Sequence, residues 1–248
     1  MNRKSILLLG GTSEAVGLAD EIQNIPNVSV VYSLAGRTRN PKLPNCEVRF
    51  GGFGGIDGLV SFMKENDISF LVNATHPYAA QMSLNASEAA KKTGTPYYRF
   101  LRQPWFEPKD ACWIHVESLD KAAEKIGGTF ERVFLSSGLN GIAAFAPLND
   151  VWFLVRSIED PEEPMPLRNY THIKDRGPFN FEAECALLRD NKIEALVSKN
   201  SGGDATSAKL EAARSLSVPV IMVDRPNDQH QDTFVDSMTL VEQIRNTI

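Results

Sequence analysis

Several short stretches of the chain combine glycine with hydroxyl, amide, imidazole or cationic side chains. Gly10-Gly11-Thr12-Ser13-Glu14-Ala15 follows an apolar run and opens a helical pattern. Backbone N–H groups at such a helix start point outward at the positive end of the dipole, which suits a phosphate. The order is not G-x-G-x-x-G, because Thr12 takes the second glycine position and Ala15 the third. Further on, Tyr32-Ser33-Leu34-Ala35-Gly36-Arg37-Thr38-Arg39 has no acid where a NAD-type site takes the ribose hydroxyls. Ser33, Arg37 and Arg39 are suited instead to a 2′-phosphate.

Arg49-Phe50-Gly51-Gly52-Phe53-Gly54-Gly55 packs four glycines into five positions. That density lets backbone approach a ligand closely, or makes a flap. In Asn73-Ala74-Thr75-His76-Pro77-Tyr78-Ala79, Thr75, His76 and Tyr78 can donate hydrogen bonds, and His76 could move a proton. The same stretch could simply cap a helix with Pro77 near its first turn. Ser198-Lys199-Asn200-Ser201-Gly202-Gly203-Asp204-Ala205-Thr206 reads as an anion or cofactor clamp at a helix entrance. It lacks the order G-x-x-x-x-G-K-[ST], which disfavours an ATPase. His172-Ile173-Lys174-Asp175-Arg176-Gly177-Pro178-Phe179 is basic and bent, a contact for an acidic ligand or a plain surface turn.

The elements between these stretches read as alternating strands and helices. Ile6-Leu7-Leu8-Leu9 is a continuous apolar run, as in a parallel strand buried on both faces. Ala15, Leu18, Ala19 and Ile22 have helical spacing, and Pro26-Asn27 ends it. Val28 to Leu34 is a β-branched second strand. Leu59-Val60 and Phe62-Met63 mark a helix, Ile68-Ser69-Phe70-Leu71-Val72 a third strand, residues 80–92 a helix and residues 97–101 a fourth strand. In the second half, Arg132-Val133-Phe134-Leu135 is a strand running into Ser136-Ser137-Gly138. Residues 193–197 form another, and residues 209–216 a helix. This grammar implies parallel sheets covered by helices.

The two halves echo each other in residues as well. Glu88-Ala89-Ala90-Lys91 precedes Pro96 as Glu211-Ala212-Ala213-Arg214 precedes Pro219. Each following strand ends near an Arg and a Pro: Arg102 and Pro104, then Arg225 and Pro226. Each half closes with Val-acid-Ser and a helix, at Val116-Glu117-Ser118 and Val235-Asp236-Ser237. The expectation is α/β architecture: two Rossmann-like parallel-sheet units, residues 1–128 and 129–248, with a ligand cleft between them. The first is the main cofactor-binding unit and the second completes the cofactor and substrate cleft.

Composition sets the outer bounds. The 248 residues are 42% apolar and 23% charged, as in a globular protein. At about 150 residues per domain, that length allows one large domain or two small ones. No run approaches the roughly 18 apolar residues of a membrane helix, and the N-terminal apolar stretch is too short for a signal peptide. A net charge of −5 argues against a nucleic-acid partner. Cys46, Cys112 and Cys185 have no metal-ligand spacing and no disulfide pattern. They read as small buried or half-buried residues of a cytoplasmic protein, and no metal site is expected.

As an ordered set, these stretches resemble the precorrin-6A reductase family of cobalamin (vitamin B12) biosynthesis, including its cobalt-precorrin-6A counterpart. The matching residues are Gly10 to Ala15, Ser33-Leu34-Ala35-Gly36-Arg37, Gly51-Gly52-Phe53-Gly54-Gly55 and Ala74-Thr75-His76-Pro77-Tyr78-Ala79. Arg102-Gln103-Pro104-Trp105, Arg176-Gly177-Pro178-Phe179 and Lys199-Asn200-Ser201-Gly202-Gly203 continue the series. Two positions depart from it. Ser137-Gly138-Leu139-Asn140 stands where the family usually has Gly-Arg, and Asn73 where it often has Asp.

The resemblance implies an NADPH-dependent enzyme, NADH being the other option, that reduces one ring double bond of precorrin-6A or its cobalt form to give precorrin-6B. The implied cofactor contacts are Gly10, Gly11, Thr12, Ser13, Glu14, Ala15, Ser33, Gly36, Arg37, Arg39, Gly52, Phe53, Gly54, Ala74, Thr75, His76 and Tyr78. Ser137, Gly138, Lys174, Arg176, Lys199, Asn200, Ser201 and Gly202 are the implied contacts of the tetrapyrrole. Lys199, Asp204 and His76 are unranked proton donors. Another Rossmann-type reductase or epimerase would call for Tyr-x-x-x-Lys; at Tyr78 and Tyr97 that pair is absent, since Met82 and Leu101 stand at the lysine position. A non-catalytic nucleotide sensor is the remaining alternative.

Overall fold

The computed structural model describes residues 3–36, 41–227, 230 and 232–248. The chain starts with β1 (Lys4–Leu9), α1 (Ser13–Gln23), β2 (Val28–Leu34), β3 (Glu47–Phe50), α2 (Ile56–Glu65), β4 (Ile68–Asn73), α3 (Ala80–Thr93) and β5 (Tyr97–Phe100). It continues with β6 (Trp113–Val116), α4 (Leu119–Ile126), β7 (Arg132–Leu135), β8 (Trp152–Ser157), β9 (Tyr170–Lys174), α5 (Phe181–Asp190), β10 (Ala195–Lys199), α6 (Ala208–Ser215) and β11 (Val220–Val223). β12 (Thr233–Phe234) and α7 (Ser237–Thr247) complete it.

These elements form two six-stranded sheets, ordered β12-β5-β4-β1-β2-β3 and β6-β11-β10-β7-β8-β9. Every strand pair is parallel. The orders are the same once β1 is matched to β7, β4 to β10 and β12 to β6. The residue echoes therefore correspond to a repeated topology.

The boundary between the units differs from the expected one. One unit comprises Met1–Gln103 and Pro226–Ile248, the other Pro104–Arg225. The division at residues 128 and 129 fails because the closing strand-helix segments are exchanged. β6 pairs with β11, with Trp113 opposite Val220, so β6 and α4 belong to the second unit. β12 pairs with β5, with Thr233 opposite Arg99, which returns the C-terminus to the first.

Period-two alternation explains the continuous apolar run of β1. Ile6 and Leu8 join one face of the first sheet, where α1 buries Ala15, Val16, Leu18, Ala19 and Ile22 and α7 buries Leu240, Val241 and Ile244. Leu7 and Leu9 join the other face, covered by Leu59 and Met63 of α2 and Ala86, Ala89 and Ala90 of α3. In the second unit, Phe134, Leu154, Leu196 and Met222 pack with Cys185 and Leu188 of α5 and Ala212 and Ala213 of α6. Cys185 is thus a core residue and Cys46 is half-buried, whereas Cys112, expected to be covered, is exposed where the chain leads into β6. Among the described residues, no helix is long and apolar enough to cross a membrane.

Candidate functional site

In each unit the strand order turns back at one point. In the first, the chain runs outward from β1 through β2 to β3 and then crosses to β4 on the other side of β1. Loops leaving β1 and β4 therefore diverge, and the crevice outside such carboxyl ends is where ligands bind in open α/β sheets. The second unit repeats this between β7 and β10.

At the first turning point lies Gly10-Gly11-Thr12. Gly10 N–H donates to Ser33 O at 2.9 Å, and Ala74 N–H donates to Leu9 O at 2.8 Å, joining three strand ends. Gly11 has φ +122°, which favours glycine, and nothing crowds the position of a β-carbon there. Its N–H donates to Tyr32 Oη at 3.1 Å. Tyr32 is buried, and burial raises the pKa of its phenol. Thr12 caps α1, its Oγ1 accepting from Ala15 N at 3.1 Å. Glu14, in the first turn, receives Arg102 Nη1 at 2.7 Å from Oε2.

Arg49 is a residue that the sequence reading passed over. It stands opposite Ser33 in the β2–β3 register. Its Nη1 donates to Ser33 Oγ at 3.1 Å and to Gly51 O at 2.8 Å, and its Nη2 donates to Gly52 O at 3.1 Å. The guanidinium lies 3.9 Å from the Phe53 ring centroid. Arg49 therefore anchors the glycine loop and places a cation beside Ser33, at the acid-free end of β2. Desolvation lowers its pKa. Arg37 and Arg39, expected at this place, lie outside the described residues.

The loop after β4 is built on Asn73, which is fully buried. Its amide donates to Ser83 Oγ at 3.0 Å and Tyr97 Oη at 2.9 Å, while its Oδ1 accepts from Thr75 N at 3.1 Å and Thr75 Oγ1 at 2.7 Å. Both ends of an amide are used, so asparagine fits this pattern of donors and acceptors. Arg99, also fully buried, donates through Nη1 to the carbonyls of Asn73, Thr75 and Phe100. His76 Nδ1 accepts from Tyr78 N at 3.3 Å. Pro77 does not open the helix, because α3 starts at Ala80 with no side-chain cap. A shallow surface hollow is lined by Thr12, Ala74, Thr75, Pro77, Phe100, Leu101 and Arg102.

These features fit a dinucleotide. The start of α1 and the uncrowded Gly11 are suited to a diphosphate. The structure brings Gly10 to Ala15, Ser33, and Ala74 to Tyr78 to one sheet edge. Gly51 N–H donates to Leu34 O at 2.9 Å, which ties the glycine loop holding Gly52, Phe53 and Gly54 to the end of β2, from which the chain continues to Gly36.

In the second unit, Lys199 ends β10 and its Nζ donates to Ser137 O at 3.1 Å and Asn140 O at 3.4 Å, linking the loops after β7 and β10. Burial lowers the pKa of this ammonium. The Asn200 amide brackets Trp105, its Oδ1 accepting from Trp105 N at 2.8 Å and its Nδ2 donating to Trp105 O at 3.0 Å. Trp105 Nε1 donates to Gly203 O at 2.9 Å, and Arg225 donates to the carbonyls of Asn200 and Ser201. Gly202 has φ +69°, and Asp204 opens a single 3-10 turn, residues Asp204–Thr206.

Lys174 and Arg176 stand apart from this turning point, at the end of β9 and beyond. Lys174 pairs with Asp160 at 2.7 Å and Arg176 with Glu159 at 3.7 Å, so acids offset this basic segment. The proton-donor candidates fall in different units, His76 in the first and Lys199 and Asp204 in the second. Among the described residues, no cluster of His, Cys, Asp and Glu could hold a metal.

Comparison with known proteins agrees with this geometry. The family model described as "Precorrin-6x reductase CbiJ/CobK" matches residues 5–245. A precorrin-6A reductase of Rhodococcus erythropolis is 45% identical over 221 residues, 89% of each chain. One of Mycobacterium tuberculosis is 44% identical over 223 residues, 89% of this chain and 88% of that one. The solved structure titled "CobK precorrin-6A reductase" has a TM-score of 0.92 and 37% identity, covering 98% of this chain and 96% of that chain. Matched by the family model over residues 5–245 and by relatives at 44–45% identity over 89% of its length, the chain belongs to the precorrin-6x reductase family of cobalamin biosynthesis.

Proposed function

We propose that this protein reduces one ring double bond of precorrin-6A with NADPH, giving precorrin-6B. The observation that carries this reading is the glycine-threonine turn at the first unit's turning point, in a chain of this family. The relatives at 44–45% identity bear the name precorrin-6A reductase, which supports the cobalt-free macrocycle as substrate.

When bound, the nicotinamide supplies a hydride to one carbon of the double bond. This chain must hold the cofactor, orient the macrocycle and let a proton reach the neighbouring carbon. The start of α1 would hold the diphosphate, and Thr75, His76 and Tyr78 after β4 would supply further polar contacts to the cofactor. Lys199 offers a cation to the carboxylates of the macrocycle from the second unit. His76, Lys199 and Asp204 are the groups of this reading that can pass a proton, alongside water. The free cysteines support a cytoplasmic, reducing setting, and the acidic net charge supports a small-molecule partner over nucleic acid.

The preference for NADPH over NADH rests on Ser33 and Arg49 in place of an acid. Arg49→Gln is expected to lower kcat/KM for NADPH by about 10- to 100-fold and for NADH by less than about threefold, the loss of one charge-assisted phosphate contact. Steady-state rates of NADPH and NADH oxidation with precorrin-6A check this. Equal losses with both cofactors would mean that Arg49 only anchors the glycine loop.

A further inference from the structure

A carboxylate in the first turn of a helix lies in the field that would otherwise attract a phosphate. Glu14 is such a group, two residues beyond the Thr12 cap of α1. Alone, it would repel a diphosphate at the same helix start. It is not alone. Arg102, just beyond β5, reaches it at 2.7 Å, and the two side chains are only 19% and 30% exposed, so water and salt screen them poorly. Arg102 also borders the hollow formed with Thr12, Ala74 and Thr75. The ion pair therefore fastens the segment after β5 to the start of α1 and cancels the charge of Glu14.

We propose that Arg102 is a positioning residue for cofactor binding, acting through Glu14. By holding this carboxylate in an ion pair, it keeps the start of α1 receptive to the cofactor diphosphate. The inference rests on the dinucleotide reading above and assigns a role to a pair of side chains within it.

The test is calorimetric binding of NADP⁺ to the whole protein and to four variants, with thermal unfolding recorded for each. Arg102→Gln frees the carboxylate and is expected to weaken binding by about tenfold or more. Arg102→Lys keeps a cation and holds affinity within about threefold of the parent. Glu14→Gln removes the negative charge from the first turn of α1 and tightens binding by about threefold. The decisive protein is Glu14→Gln/Arg102→Gln, which is expected to return to within about threefold of the parent, because both charges are gone together. If the double variant binds as weakly as Arg102→Gln, Arg102 acts on the ligand or the fold directly and the proposal is overturned. Parent-like binding by Arg102→Gln would also overturn it, as would a loss in Arg102→Lys as deep as that in Arg102→Gln. A parent protein that binds neither NADP⁺ nor NAD⁺ would instead remove the dinucleotide reading, and this inference with it.

Discussion

Replacing Gly10 with alanine is expected to cost this protein both stability and cofactor affinity. An added β-carbon would lie 2.1 Å from Cζ and 2.3 Å from Oη of Tyr32, far inside contact distance. Tyr32 is fully buried in the first unit's core, so its ring cannot step aside cheaply. Overpacking of this kind costs about 1–3 kcal/mol. Displacing the hydroxyl would also break the bond it accepts from Gly11 N–H and shift the turn that leads into α1. Where about 1.4 kcal/mol of this cost falls on the turn, NADP⁺ affinity drops about tenfold. Chemical unfolding and calorimetric titration measure the two effects. Combining Gly10→Ala with Tyr32→Leu makes room for the methyl group and should recover part of the lost affinity. A Gly10→Ala protein with parental stability and affinity would show that this close packing is not required.

The second large effect is expected at the Arg156–Glu184 pair. Arg156 Nη1 and Nη2 donate to Glu184 Oε1 and Oε2 at 2.5 and 2.9 Å, and both side chains are buried. The guanidinium lies 3.8 Å from the Phe179 ring centroid, and Phe179 N–H donates to Ala205 O at 3.2 Å. The pair thus ties the end of β8 to the segment around residue 179 and, through it, to the loop after β10 that follows Lys199. Glu184→Ala leaves a buried cation unpartnered, which costs about 3–5 kcal/mol. Hydrogen exchange should quicken in α5, β8 and the loop after β10, and KM for the macrocycle should rise. Arg156→Met/Glu184→Leu removes both charges and should regain most of the stability but not the substrate affinity. If Glu184→Ala unfolds at the parental denaturant concentration, the pair does not stabilise the unit.

Much of the first unit was legible because its signals are local. The run from Ile6 to Leu9 could only be a buried strand once Gly10-Gly11 followed it, and the spacing of Ala15, Leu18, Ala19 and Ile22 matches the residues that α1 buries. The turn glycines were legible because a positive φ selects glycine. Edge strands were not. β3 has only four residues, none of them buried, and β9 ends the second sheet with polar residues. β8 carries Arg156 at its end, and a buried charge hides a core strand from any apolar pattern. The exchange of β6 and β12 was invisible for a different reason. Val116-Glu117-Ser118 and Val235-Asp236-Ser237 open equivalent segments, and nothing local says which sheet each will join.

The site divides in the same way. The loops that face the turning points could be found because their glycines and hydroxyls lie next to strand ends in sequence. Arg49, Arg99 and the Glu14–Arg102 pair could not, because each acts through a contact made only when distant strands align. Glu14 and Arg102, for example, are separated by 88 positions. Asn73 is a fully bonded amide that shapes the loop after β4.

In the proposed reaction this chain directs hydride from a nicotinamide cofactor to the precorrin-6A ring. The most direct measurement is mass spectrometry of the macrocycle after incubation with the protein and NADPH deuterated at the nicotinamide C4 position. The expected result is stoichiometric oxidation of NADPH and a product that has gained one carbon-bound deuterium from the cofactor and one hydrogen from solvent. A macrocycle that returns unlabelled and unreduced, with NADPH intact, would contradict it.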